Sequence, residues 1–314
     1  TGANATALLI ARGGKLMAEG TADAPIIFTS VADEIMPGQI ESPNLDPEAN
    51  GLWGGIIVLG SARISASNET GDVSEVQIEG IPATDPNGLY GGNLDNDNSG
   101  VIKYVSIRHG GTNIGAGNEI NGLTLGGVGR GTVIENIEVI ANQDDGIEWF
   151  GGTVDVTNAV VWNCLDDAID TDQSWAGTLD NFVVITPGDH NFELDGPEGS
   201  YEAGHTIKNG LVIANDPAAG KYSSDLINTD DNSIVNLENI FITAIEPGQK
   251  INRVVHNTGT VNFSNIVLDV PEADLPDHVN GDVPAGVLSG SNHTVNLDVF
   301  SWTWAAKAGK LSGF

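Results

Sequence analysis

Three stretches in the middle of the chain repeat one chemistry at nearly one interval. Asp144-Asp145-Gly146-Ile147-Glu148 is followed 22 residues on by Asp166-Asp167-Ala168-Ile169-Asp170, and 23 residues later by Asp189-His190-Asn191-Phe192-Glu193. Each time an apolar residue (Ile147, Ile169, Phe192) precedes an acid (Glu148, Asp170, Glu193). This interval suits one coil of a solenoid. If the coils stack, acids far apart in sequence form a column with roughly 4.8 Å between neighbours.

A second register supports the same reading. Ile102-Lys103-Tyr104, Ile134-Glu135-Asn136, Val156-Thr157-Asn158, Leu179-Asp180-Asn181, Ile207-Lys208-Asn209, Leu237-Glu238-Asn239 and Phe263-Ser264-Asn265 all precede short apolar runs. They start 32, 22, 23, 28, 30 and 26 residues apart. Asn tolerates the left-handed backbone region and can hydrogen-bond a neighbour along a stack. A ladder of such Asn at a bend is expected of a parallel β-helix. No sustained helical apolar pattern competes, and β-branched residues dominate the apolar runs. The expected fold is therefore all-β: a single right-handed parallel β-helix over residues 1–314, with long surface loops.

Spacings beyond the tight pair must be absorbed by excursions, expected as loops at 31–51, 65–100 and 271–292. Leu8 to Ile10 and Ile26 to Phe28 read as the first strand cores, with turns at Gly13-Gly14 and Gly20. GLWGGIIVLG (51–60) reads as a further strand. The tail, VNLDVFSWTWAAKAGKLSGF, is expected to add one more strand and then to cap the open end of the stack over 301–314. Trp302 and Trp304 would do the covering; a sugar-stacking platform is the functional alternative.

Charge sets the classes of partner. Lys and Arg number 12 against 43 Asp and Glu, a formal charge of −31. Such a surface repels nucleic acid and anionic membranes and attracts cations. A solvated marine or halophilic surface is the plain alternative. No run of about 18 apolar residues is present, so no membrane span is expected. No signal peptide is read either, and the opening Thr1-Gly2-Ala3-Asn4 reads as a mature or trimmed start. The single cysteine, Cys164, excludes an internal disulfide and reads as a small buried side chain. The six histidines show no zinc-type spacing.

The acid ladder carries the chemistry. Strand alternation turns Ile147 and Trp149 to one face and Glu148 to the other. Glu148, Asp170 and Glu193 would then stack outside the coil, beside Asp144, Asp145, Asp166 and Asp167 at the turn, with Asp172 two residues beyond Asp170. Two carboxylates about 5 Å apart repel by about 3 kcal/mol at an effective dielectric near 20. A cation, raised pKa values or side chains splayed into water would relieve this. Ca2+ suits such a set because it accepts many carboxylate and carbonyl oxygens in flexible geometry. Solvated acids and a catalytic carboxylate set remain the other readings. Asp95-Asn96-Asp97-Asn98-Ser99-Gly100 has calcium-loop phasing, which makes Asp95 and Asp97 candidate ligands. Its twelfth position is Ser106, not the Glu of an EF-hand, so an Asx-rich turn competes. Asp170-Thr171-Asp172 and Asp230-Asp231 are weaker candidates.

GLTLGGVGRGTVIENIEVIANQDDGIEWFGGTV, with GLWGGIIVLG upstream and DDAIDTDQSWAG downstream, resembles a family of secreted right-handed β-helix proteins of marine and gut Gram-negative bacteria. The resemblance runs from about Leu8 to Trp304. The high acid content is also similar to that of calcium-dependent surface-layer proteins of marine bacteria. These resemblances imply an extracellular or cell-surface location, calcium as the cofactor, and copies of the chain or cell-surface polysaccharide as partners. The implied role is structural or interaction-based.

The same fold hosts pectate lyases and polygalacturonases. Asp144-Asp145-Gly146 is similar to the acidic metal site of one pectate-lyase family, so a calcium-dependent polysaccharide lyase is the alternative function. That reaction needs a Lys or Arg base, for which Lys103, Arg108, Lys208 and Arg253 are the candidates. The polygalacturonase motifs stand in the wrong order here. Asn228-Thr229-Asp230 follows Asp166-Asp167 and Gly204-His205, and no R-x-K is present.

Overall fold

The β-branched runs are laid down as short strands that alternate between two parallel sheets. In the computed structural model, which describes residues 6–112 and 120–314, the shorter sheet has seven strands. They run Leu8–Ile10, Ile56–Leu59, Leu123–Gly126, Ile147–Phe150, Ile169–Asp172, Phe192–Leu194 and Asn228–Thr229. The longer sheet stacks Leu16–Glu19, Gly100–Arg108, Val133–Ile140, Val156–Trp162, Thr178–Ile185, His205–Ile213, Ile234–Thr243, Thr260–Leu268 and Val287–Ser289. Ile26–Phe28 also pairs with Gly100–Arg108. Every pairing within these two sheets is parallel. The chain is a parallel β-helix. Among the described residues no helix is long and apolar enough to cross a membrane.

The Asn register is the corner of the coil. Asn136, Asn158, Asn181, Asn209, Asn239 and Asn265 all adopt left-handed φ values between 54° and 60°, and Tyr104 fills the same place at 49°. Each interrupts a long strand, so that strand turns and supplies two walls. The amides form a ladder: Asn158 donates to Asn136 at 3.1 Å, Asn181 to Asn158 at 2.7 Å, Asn239 to Asn209 at 3.3 Å and Asn265 to Asn239 at 3.0 Å. One rung departs, since Asn209 donates to Asp180 Oδ1 at 2.6 Å. Replacing Asn239 by Ala strains the left-handed backbone and severs two ladder bonds. It should cost about 2 kcal/mol in chemical denaturation. Asn239→Gly should cost roughly half of that, because only the bonds are lost. Equal costs for the two variants would refute the backbone argument.

The interior is apolar. Ile147, Ile169 and Phe192 stack in register and are fully buried. Trp149 stacks on Trp175 with ring centroids 4.6 Å apart, and His205 continues the stack at 4.9 Å. Cys164 is buried, and burial pushes its thiol pKa well up.

The excursions and termini differ from expectation in four respects. Residues 7–29 hold three strands, because Leu16–Glu19 forms between the two expected ones. The 65–100 excursion contains two antiparallel hairpins, pairing Ala66–Asn68 with Gly71–Val73 and Val76–Gln77 with Leu89–Tyr90. The 271–292 excursion supplies the end cover expected of the tail. Its Leu275, Val279 and Val287 join the main core, and Val287–Ser289 adds a final parallel strand.

The tail instead forms a short 3-10 turn, Leu297–Phe300, and a helical turn, Trp304–Lys307. It lies along the flank of the long sheet, where Phe300, Trp304 and Ala305 pack with Ile140, Val160, Trp162, Val183 and Leu211. Those outward residues are apolar, so the sheet face needs a cover more than the stack end does. Trp302 and Trp304 are each 3% exposed, which leaves no platform for a sugar ring. The 31–51 excursion has no strand. It crosses the second corner of the coil, where Asn163 donates to Pro47 O and Arg108 to Ile40 O.

Candidate metal centre

Register on the shorter sheet places the acids. Ile147 pairs with Ile169 and Glu148 with Asp170, then Ile169 with Phe192 and Asp170 with Glu193. Glu148, Asp170 and Glu193 therefore form one file on the outer face. A second file follows the turn. Asp167 N donates to Asp145 Oδ1 at 3.0 Å, and His190 N donates to Asp167 Oδ1 at 2.6 Å. Gly146 permits this tight turn: a Cβ there would sit 2.4 Å from Val161 Cγ1 and 2.6 Å from Ala168 O.

The two files and the turn acids line a cavity of about 320 Å³. Among the described residues, nine carboxylates and one imidazole, His190, form its walls. The ligand atoms of five trios lie within 4.8 Å of one another: Asp144/Asp145/Asp166, Asp145/Asp167/Asp170, Glu148/Asp170/Asp172, Asp166/Asp167/Asp189 and Asp167/His190/Glu193. Eight of the ten sequence candidates thus come together. Asp95 and Asp97 do not join any such trio among the described residues. Arg63 grips the Asp95 carboxylate, and Asp97 accepts from Ser99 Oγ at 3.2 Å, so that loop is an Asx-rich turn. A guanidinium already supplies the countercharge there.

Four of the cavity carboxylates, and Asp172 beside them, resist ionisation. Burial, then Asp144 and Asp166, pushes the Asp145 pKa well above the usual carboxylate range. Burial followed by Asp145 does the same to Glu148, and burial followed by Glu148 does so to Asp170. Asp167 is pushed up to about 11 by burial, then by its hydrogen bond to Glu193. Asp172 rises to about 8 through burial and then Asp195. Burial opposes protonation of His190, but its hydrogen bond to Asp225 and the surrounding acids outweigh it, and its pKa is raised.

The donor set fits a hard cation. Asp170 is 8% exposed, and its Oδ1 has no hydrogen-bond partner among the described residues. A buried oxygen of that kind calls for a ligand. No Lys or Arg among the described residues lines the cavity. The four candidate lyase bases are engaged elsewhere: Lys103 with Glu135, Arg108 with Glu138, Lys208 with Asp180 and Arg253 with Asp231.

Four contributors escaped the sequence reading. Asp189 holds the phase of Asp144 and Asp166, so the repeat itself contained that signal. Glu79 arrives from the 65–100 excursion, outside the repeat. Asp225 and Asn228 hold His190 from the next coil, at a spacing widened by the 214–225 loop.

No curated protein and no solved structure matches the chain. A family model for the pectate-lyase-like β-helix domain matches residues 1–298. With the coil and its outward acid files in view, the chain belongs to that family.

Proposed function

We propose that this protein is an extracellular, calcium-binding β-helix with a structural or interaction role at the surface of a Gram-negative bacterium, of surface-layer or matrix type. One observation carries the reading: among the described residues, nine carboxylates crowd one cavity with no Lys or Arg in its walls. Ca2+ held by Asp145, Asp167 and Asp170, or by Glu148, Asp170 and Asp172, would discharge the repulsion. The charge of −31 favours cation-bridged contact with copies of the chain or with anionic surface polysaccharide.

The family match supports a second reading, a calcium-dependent polysaccharide lyase. That reaction needs a base beside the metal, and among the described residues the cavity offers only His190, already held by Asp225 and Asn228.

Calcium calorimetry, light scattering with and without chelator, and absorbance with uronate polymers separate the two readings. The expected result is Ca2+ uptake, calcium-dependent assembly and no new double bonds. Assembly that ignores chelation would refute the structural role, and unsaturated products would establish the lyase. The Asp145→Asn/Asp170→Asn variant should lower Ca2+ affinity at least tenfold, since two ligand charges are lost.

A further inference from the structure

The coil repeats its cation ligands with one change of donor type, an imidazole in place of a carboxylate. Asp145, Asp167 and Asp170 form one trio. Moving each residue up one coil replaces Asp145 by Asp167, Asp167 by His190 and Asp170 by Glu193. The resulting trio, Asp167, His190 and Glu193, also has its ligand atoms within 4.8 Å of one another. Asp167 belongs to both. We propose that the cavity holds two cations one coil apart, bridged by Asp167, and that the Asp167–His190–Glu193 position takes a transition-metal dication of the Mn2+ or Zn2+ class in preference to Ca2+.

Three observations support the pairing. Coils are spaced by roughly 4.8 Å, a separation one carboxylate can bridge. Asp170, in the all-oxygen trio, lines the cavity with an Oδ1 that has no hydrogen-bond partner among the described residues, while more than nine-tenths buried. His190 is set up as metal-binding imidazoles are: its Nδ1 lies 2.9 Å from Asp225 Oδ1, which fixes the proton there and leaves the Nε2 lone pair for a ligand. Asn228 Nδ2 now donates to that lone pair at 2.8 Å. Asn228 is in register with Glu193, so its amide stands beside the second trio and must yield when an ion enters. The two positions differ in hardness. Three carboxylates suit Ca2+, whereas an imidazole with two carboxylates suits Mn2+ or Zn2+.

This inference rests on the cavity being a cation site, and the test separates the two claims. Mn2+ is titrated into Ca2+-saturated protein and followed by calorimetry and pulsed electron paramagnetic resonance. The expected result is one further equivalent of Mn2+ with nitrogen-14 coupling from an imidazole. His190→Gln should abolish the coupling and weaken that Mn2+ at least tenfold, leaving Ca2+ affinity within about threefold. Asp225→Asn removes the orienting acceptor without touching either trio and should weaken Mn2+ by about 10–100-fold. It keeps the test decisive if His190→Gln fails to fold. Ca2+ binding without the second equivalent, or Mn2+ binding that lacks nitrogen coupling, overturns the mixed position and leaves the calcium reading intact. Failure to bind either ion overturns both.

Discussion

Stripping divalent cations from the protein should lower its unfolding temperature by about 5–10 °C, with a loss that grows as pH rises. A ligand at 100 to 1,000 times its dissociation constant stabilises by about 3–4 kcal/mol, and a chain of this size melts a few degrees lower for each kcal/mol removed. The pH dependence follows from the carboxylates. Asp145, Glu148, Asp167, Asp170, Asp172 and Asp195 all have folded-state pKa values raised above those of an unfolded chain. Burial is the leading cause in each. Such groups contribute stability in full below the ordinary carboxylate range and lose it as pH climbs through the folded values. Those values are about 7 for Asp195, about 8 for Asp172 and about 11 for Asp167. In chelator the protein should therefore be most stable near pH 5 and weaken through pH 9. Calcium prefers the ionised carboxylates, so the gap between calcium-loaded and stripped protein should widen over that interval. Melting curves at pH 5, 7 and 9, with and without chelator, measure both effects. A stripped protein as stable at pH 9 as at pH 5 would contradict the account of the cavity.

Arg108→Met should destabilise the protein by about 3–5 kcal/mol, the usual cost of leaving one partner of a buried ion pair uncompensated. Arg108 and Glu138 are at most 1% exposed. The guanidinium lies 3.5 Å from Glu138 Oε2 and 2.7 Å from Ser106 Oγ, and Ser106 donates to the same carboxylate at 2.6 Å. Glu138 Oε1 accepts from Ala305 N at 3.0 Å, and Trp304 covers Arg108 at 4.8 Å. The pair thus pins the tail to the flank of the long sheet. Burial lowers the Arg108 pKa and raises that of Glu138, so desolvation works against both charges. The double variant Arg108→Met/Glu138→Leu should accordingly recover most of the loss. Limited proteolysis should cut the tail faster in the single variant and at the wild-type rate in the double one. A double variant as unstable as the single would show that the hydrogen bonds to Ser106 and Ala305, and not the uncompensated charge, set the cost.

The sequence alone determined the coil, its outward acids and its Asn corners. Each is a local rule repeated at a fixed interval. Ile147, Ile169 and Phe192 must face inward if Glu148, Asp170 and Glu193 face out, and stacking does the rest. Tertiary structure decided what lies outside the repeat. Glu79 reaches the cavity from a hairpin, Asp225 and Asn228 fix the tautomer of His190 across a widened coil, and Arg63 removes Asp95 from the metal candidates. It also exchanged the expected roles of two segments, setting Leu275 and Val279 over the stack end and Trp304 along the flank. An excursion has no period, so its destination depends on which apolar surface stays uncovered once the coils have stacked, and that surface exists only in the folded chain.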